Sequence, residues 1–258
     1  ARMALFEKGA GGDEVQKAGM FPPKPLIHED EWQAIKNFYL QNAPDQLPEV
    51  TLKNIAIGGH PFEVIEAKTQ LSPPSSTFVR FSDDGSFYIG DAHSQSLLHF
   101  DHNQKLLQAG KTREGTVWMN ELHEALWITV MGSFSPTDAP KGFIMTLPKD
   151  GKTAPLLPIQ HLKRPVHTLM EDFNQDGFTD VVVCEFGKWT GGLSLFLQHE
   201  NGFNKVTLDS RPGATKAYAR DWNHDGLMDI AALFAQGDEG IDLYLNKGNG
   251  IFEKQKLL

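Results

Sequence analysis

The sequence predicts an all-β protein: a β-propeller built of four-stranded antiparallel blades, in a partial or small ring, with a short N-terminal helical segment. Two observations lead to this prediction, namely a nine-residue acidic loop that occurs twice and a longer unit that repeats around each loop. Four short antiparallel strands in about 45 to 50 residues is the size of one propeller blade. We expect the blades within residues 49–258 and the helical segment within residues 1–48.

The helix is predicted over residues 29–41. Two acidic residues near its start suit the positive end of the helix dipole, and Trp32, Ile35 and Tyr39 recur on one face. Pro44 ends the helix, because proline cannot continue the hydrogen-bonding pattern.

Two sets of short strands follow, and neither contains the acidic loop. The first set covers residues 78–81, 87–90 and 96–101, and the second covers residues 116–119, 126–130 and 142–147. The Asp83-Asp84-Gly85 sequence between the first two strands predicts a hairpin turn. These sets indicate two further blades with a weaker pattern.

The acidic loops lie at residues 172–180 and 221–229. Each has a carboxylate or carboxamide at loop positions 1, 3, 5 and 9 and a glycine at position 6. Calcium takes six to eight oxygen ligands, and a tight turn relieved by glycine can supply most of them from one segment. The same residues could form an ordinary turn, because Asp and Asn bond their own backbone, but the repetition favours a metal site. Calcium is favoured over magnesium, which demands stricter octahedral geometry.

Two calcium ions are therefore predicted, each held by four side chains and one backbone carbonyl. The first set of ligands is Asp172, Asn174, Asp176, the carbonyl of Phe178, and Asp180. The second set is Asp221, Asn223, Asp225, the carbonyl of Leu227, and Asp229. An EF-hand would need glutamate at position 12, where Val183 and Ala232 stand within apolar runs. Each loop is therefore expected to lead into a buried strand and not into a helix.

The similarity between the two units extends past the loops. Residues 192–198 align with 240–246, and the Asn-Gly turn of residues 201–203 aligns with 249–251. This pattern resembles the FG-GAP/VCBS family of calcium-binding propeller repeats, with units at 164–213 and 214–258. Residues 164–167, 183–187, 212–214 and 235–240 further resemble bacterial proteins that fuse a c-type cytochrome domain with such a propeller. The resemblance implies an exported protein, periplasmic or extracellular, with an electron-transfer partner reached through the cytochrome domain.

Met20, followed by two prolines and the predicted helix, resembles the end of a cytochrome c domain, where methionine is an axial haem ligand. Covalent haem attachment needs a Cys-x-x-Cys-His run, and this chain has one cysteine, Cys184. Haem c is therefore expected only in a longer form, of which this chain would be a fragment. Met20 could equally be an ordinary loop methionine.

Composition limits the partners. The net charge of −9 disfavours nucleic acid, and no apolar stretch approaches the length of a membrane span. The one cysteine excludes a disulfide within the chain. No nucleophilic-serine elbow, phosphate-binding loop or zinc-type histidine cluster occurs in the sequence.

Four polar residues lie near the ends of the strands that flank the acidic loops. Arg164, His167, Glu185 and Lys216 could line the propeller channel and bind an anionic or carbohydrate ligand, or they could only solvate strand ends. The leading prediction is a non-catalytic, calcium-stabilised binding or scaffold module whose unknown ligand is a carbohydrate or a protein. The alternative is an enzyme with its site in the channel, either a polysaccharide lyase or hydrolase or an oxidoreductase that passes electrons to haem.

Overall fold

A computed structural model describes residues 17, 24–46, 71, 73–150, 152–236 and 239–257. These residues form one helix and 16 strands, and the strands make four four-stranded antiparallel sheets. In every sheet the four strands are neighbours in their order along the chain, which is the meander of a propeller blade. The predicted all-β class and the four-stranded blades are confirmed.

The strands divide into four consecutive blades. Blade 1 contains β1 (Ser76–Phe81), β2 (Phe87–Asp91), β3 (Ser96–Phe100) and β4 (Leu106–Lys111). Blade 2 contains β5 (Thr116–Leu122), β6 (Ala125–Val130), β7 (Gly142–Pro148) and β8 (Leu156–Leu162). Blade 3 contains β9 (Pro165–Glu171), β10 (Asp180–Glu185), β11 (Gly192–His199) and β12 (Gly202–Asp209). Blade 4 contains β13 (Ala214–Arg220), β14 (Asp229–Phe234), β15 (Gly240–Asn246) and β16 (Phe252–Lys256).

The predicted helix is present as α1 (Glu29–Asn42). The Glu31 carboxylate accepts a hydrogen bond of 2.8 Å from the backbone N–H of His28, which caps the first turn. The helix ends directly before Ala43 and Pro44, and none of its residues is buried. Where the structure describes the chain, no helix has the length and apolar character needed to cross a membrane. Met20 and residues 47–70 lie outside the described residues, so the domain boundary near residue 48 stays a prediction.

Three apolar clusters lie between successive blades. One joins blades 1 and 2 around Met119 and Ile128, a second joins blades 2 and 3 around Ile144 and Val183, and the third joins blades 3 and 4. The first strands lie side by side in the order β1, β5, β9 and β13. Burial between blades therefore holds the sheets together, and the first strands form one continuous row along the edges of the four sheets.

The position of strand β10 between two apolar clusters explains why its sequence is apolar without alternation. Val181 and Val183 belong to the cluster shared with blade 2, whereas Val182 and Cys184 belong to the cluster shared with blade 4. Because both faces of the strand are covered, every residue of β10 is buried. The predicted buried strand after the first acidic loop is confirmed.

Each first strand contains a β-bulge directly after its first residue. The pairing register with the second strand skips one residue, namely Thr77, Val117, Val166 or Thr215. A bulge increases the local twist and re-aims the side chains that follow it. The residues that follow are Phe78, Trp118, His167 and Lys216, which therefore occupy equivalent positions in the four blades.

Candidate metal sites and channel

Both acidic loops connect the first and second strands of a blade. Residues 172–179 join β9 to β10, and residues 221–228 join β13 to β14. The glycines at loop position 6, Gly177 and Gly226, have φ of 88° and 87°, a left-handed conformation that glycine adopts without strain. The loops therefore lead into strands as predicted, and no EF-hand exit helix is formed.

The side chains at loop positions 1, 3 and 5 gather around the backbone of the loop. Asp172 accepts hydrogen bonds from the backbone N–H groups of Asp176, at 3.2 Å, and Gly177, at 2.9 Å. The Asn174 amide donates to the Asp176 carboxylate at 2.8 Å. The second loop repeats all three contacts at 3.1, 3.0 and 2.9 Å, which shows that the two loops share one conformation.

The aspartate at position 9 is fully buried in both loops. Asp180 accepts hydrogen bonds from the backbone N–H groups of Phe173, at 3.0 Å, and Gln198, at 2.8 Å. Asp229 makes the same pair of contacts with Trp222 and Asn246, at 2.9 and 2.8 Å. Each carboxylate thus ties the start of its loop to the end of the third strand, a structural role that the sequence pattern did not indicate.

The charges of the first loop act on one another. Burial raises the pKa of Asp180, and the nearby carboxylates of Asp176 and Asp172 raise it further, although two backbone hydrogen bonds oppose this shift. The three carboxylates are therefore close enough to repel one another. A cation among them would relieve that repulsion.

The oxygen atoms of each loop suit a hard cation, provided that the asparagine and the backbone carbonyl act as ligands together with the carboxylates. Within the described residues, no three His, Cys, Asp or Glu side chains gather closely enough to form a metal cluster on their own. The asparagine oxygen and the backbone carbonyl of each loop would therefore have to take part. All of these donors are oxygen atoms, which are the ligands that calcium prefers.

The two loops also contact each other across the boundary between blades 3 and 4. The Gln175 amide donates to the carbonyl of Gly226 at 3.0 Å. The buried Asn246 amide, at the end of β15, donates to the carbonyl of Phe173 at 2.8 Å. Phe173 itself belongs to the apolar cluster between these blades. The loops therefore form one continuous structure that spans the blade boundary.

Three of the residues that follow the bulges lie close together, at the edge of the sheets where the predicted channel would run. The ring of His167 lies 4.6 Å from that of Trp118, and Lys216 Nζ lies 3.5 Å from the centre of the Trp118 ring. Arg80, on β1, places its guanidinium carbon 5.7 Å from the same ring. The structure therefore brings the predicted residues His167 and Lys216 together and adds Trp118 and Arg80, which no sequence motif indicated.

Hydrogen bonds hold the Trp118 indole in place. Its N–H donates to the carbonyl of Thr168 at 3.1 Å. The Asn120 amide donates to the same carbonyl at 3.1 Å and to the Thr168 hydroxyl at 2.8 Å. The Thr168 and Thr129 hydroxyls lie 2.9 Å apart. This network holds the indole in one orientation beside the cations.

The groups around Trp118 include two cations and one neutral histidine. Burial, together with the charges of Lys216 and Arg80, lowers the pKa of His167 to about 3, so the imidazole is neutral at pH 7. The pKa of Lys216 is lowered by burial and then by Arg80, whereas Cys184 opposes the shift. Within the described part of the chain, neither Arg80 nor Lys216 forms an ion pair with a carboxylate.

The other two predicted channel residues make structural contacts instead. Arg164 precedes β9 and donates to the carbonyl of Gly187 at 2.7 Å. Glu185 ends β10, is 3% exposed, and accepts hydrogen bonds of 2.8 Å from the Lys163 backbone, the Ser194 hydroxyl and the Lys205 ammonium group. Arg164 and Glu185 therefore lie at the opposite end of β9 and β10 from the acidic loop.

Comparison with known proteins agrees with this architecture. Residues 172–232 match the model of the FG-GAP-like repeat family, and this segment contains both acidic loops. A solved structure of the Dos1 propeller matches 71% of this chain and 47% of its own length, with a TM-score of 0.50 and 12% sequence identity. The chain thus spans about half the length of that structure, and at this identity the likeness shows the fold alone. No curated protein matches the chain.

These findings support an FG-GAP-like β-propeller. Fold alone does not determine function, so the role of this propeller depends on its loops and on the residues along its first strands.

Proposed function

We propose that this protein is a calcium-stabilised β-propeller that acts as a non-catalytic binding or scaffold module. The observation that carries the proposal is the repetition of one loop conformation, with the same hydrogen bonds at positions 1, 3, 5 and 9, in two adjacent blades. Backbone hydrogen bonds explain positions 1 and 9, but both loops also bring a carboxamide and a carboxylate together at positions 3 and 5, which adds oxygen ligands for a cation.

The first ion would be held by Asp172, Asn174, Asp176, the carbonyl of Phe178 and Asp180, and the second by the equivalent residues of the second loop. Each ion would supply positive charge to three carboxylates that otherwise repel one another. Asp180 and Asp229 then connect each site to the third strand of the blade. Because Gln175 and Asn246 join the two loops, rigidity at the sites would extend across the boundary between blades 3 and 4.

Chelation is therefore expected to lower the melting temperature. At a calcium concentration 100 times the dissociation constant, each bound ion adds about 2.7 kcal/mol to the free energy of unfolding. One kcal/mol corresponds to about 2–4 °C in a chain of this size. We expect EDTA to lower the melting temperature by about 10–20 °C and excess calcium to restore it, as followed by circular dichroism.

The control is the double variant Asp176→Ala/Asp225→Ala, which removes one charged ligand from each loop. It should melt like the chelated wild-type protein and should not respond to EDTA. A wild-type melting curve that is the same with and without EDTA would refute the role of calcium.

We also propose where a longer form of the protein would act, because the segments that flank the loops resemble bacterial proteins that fuse a c-type cytochrome domain with a propeller. In a longer form, the propeller would sit beside a haem electron-transfer domain, outside the cytoplasm, where millimolar calcium would keep the loops filled. A Cys-x-x-Cys-His run upstream of Ala1 in the complete gene product would support this setting. An upstream sequence without such a run would contradict it and leave the calcium proposal intact.

A further inference from the structure

Two cations, Arg80 and Lys216, lie beside one aromatic ring in a chain whose net charge is −9. Arg80 and Lys216 both face the Trp118 ring, and no carboxylate of the described residues pairs with either of them. Lys216 is half-buried, so its charge has lost part of its hydration without gaining an ionic partner. Cation–π attraction to Trp118 offsets part of that loss, and an anion bound between the two cations would offset more of it.

The site is also built to hold a fixed shape. The Thr168 and Asn120 hydrogen bonds keep the indole in one orientation, and the bulge of each first strand sets the direction of Trp118, His167 and Lys216. His167, which is 4% exposed, is neutral, so it can offer a hydrogen bond without adding a third charge. Two cations on a rigid aromatic support are a suitable receptor for one oxyanion.

A cleft adjoins this site and gives room for the rest of a ligand. It has a volume of about 580 Å³, lies between blades 1 and 2, and shares Arg80 with the channel. Its other walls include Tyr88, His99, the Glu121–Lys149 ion pair and the carboxylates of Asp83 and Asp84, so hydrogen-bond acceptors and donors lie beside an aromatic surface. Tyr88 and His99 are stacked with their ring centres 4.1 Å apart. Polar groups of both kinds next to aromatic rings suit a ligand that carries hydroxyl groups.

We propose that the channel binds a small hydroxylated carboxylic acid of the sugar-acid type. Its carboxylate contacts Arg80 and Lys216 against Trp118, and its hydroxyl groups occupy the adjoining cleft. This inference rests on the proposed function in one respect only, since it names the ligand class of the binding module.

The test is calorimetric titration with glucuronate, with glucose and inorganic phosphate as comparison ligands, in saturating calcium. Glucuronate should bind, glucose should not, and phosphate should bind more weakly because it cannot use the cleft. Arg80→Gln and Lys216→Gln should each weaken glucuronate binding about tenfold, the effect of losing one charge-assisted hydrogen bond. Added salt should weaken the wild-type interaction.

Lys247→Gln is the matched control, because it removes the same charge from the surface, where Lys247 pairs with Glu253. It should leave glucuronate binding unchanged. Arg80 is exposed, so Arg80→Gln should keep the wild-type melting temperature, and its loss of binding would not reflect unfolding.

Three results would overturn the inference: no binding of glucuronate, equal binding of phosphate and glucuronate, or unchanged binding in both Arg80→Gln and Lys216→Gln. The response of the melting temperature to EDTA is measured separately, so failure of the channel site and failure of the calcium role are distinguishable.

Discussion

Arg211→Met is expected to lower the free energy of unfolding by about 3–5 kcal/mol, the cost of breaking a buried ion pair by removing one partner. The Arg211 guanidinium contacts both Asp209 and Asp242, which are almost fully buried. Lys254 and the Tyr244 hydroxyl also reach Asp209, at 2.7 and 2.8 Å. Lys254 also reaches Asp242, at the longer distance of 3.4 Å. Chemical denaturation with urea measures the loss.

The energetics of this cluster are reflected in the pKa of Asp209. Burial alone would raise it, but hydrogen bonds from Lys254 and Arg211 outweigh burial, and the pKa lies well below its usual range.

Lys247→Met is the control for Arg211→Met, because the Lys247–Glu253 pair is on the surface and should contribute less than about 1 kcal/mol. If both variants lose the same small amount, the buried cluster does not stabilise blade 4.

Asp180→Ala and Asp176→Ala are expected to differ in EDTA, although each removes one carboxylate from the first loop. Asp180 accepts two backbone hydrogen bonds inside the protein, and each unsatisfied buried group costs about 1–3 kcal/mol. We therefore expect Asp180→Ala to lose about 2–4 kcal/mol of unfolding free energy even without metal. Asp176 is exposed, so Asp176→Ala in EDTA should lie within about 1 kcal/mol of the wild type.

In calcium, both variants should be less stable than the wild type, because both lose a ligand of the first site. The comparison therefore separates the structural role of loop position 9 from the metal role of position 5. Equal stability of the two variants in EDTA would contradict the structural role of Asp180. Equal stability of Asp176→Ala and the wild type in calcium would contradict its role as a ligand.

Much of the fold was predictable because the repeated loop marks the boundary between the first and second strands. The positions of the loops predicted β9, β10, β13 and β14. Alternating or continuous apolar residues predicted most of the other inner strands. The outer strands β4 and β8 of the first two blades were not predicted. Strand β4 is exposed along its whole length and β8 along most of it, so neither has the apolar alternation that marks a half-buried strand.

The channel was only partly predictable, for a different physical reason. His167 and Lys216 could be aligned through the acidic loops that follow them, 49 residues apart in both cases. Trp118 occupies the equivalent position in blade 2, but that blade has no acidic loop to align. Arg80 lies two residues beyond the equivalent position of blade 1 and reaches the site by the length of its side chain. The shared bulge is a feature of the backbone, and no particular residue type in the sequence predicts it.

We propose that residues 172–180 and 221–229 bind calcium and join blades 3 and 4. Calorimetric titration of the metal-free protein with calcium is the decisive measurement of this role. The predicted result is two calcium ions bound per chain, reduced to one in Asp176→Ala, because each loop holds its own ion. A titration that shows no bound calcium in the wild-type protein would contradict the claim.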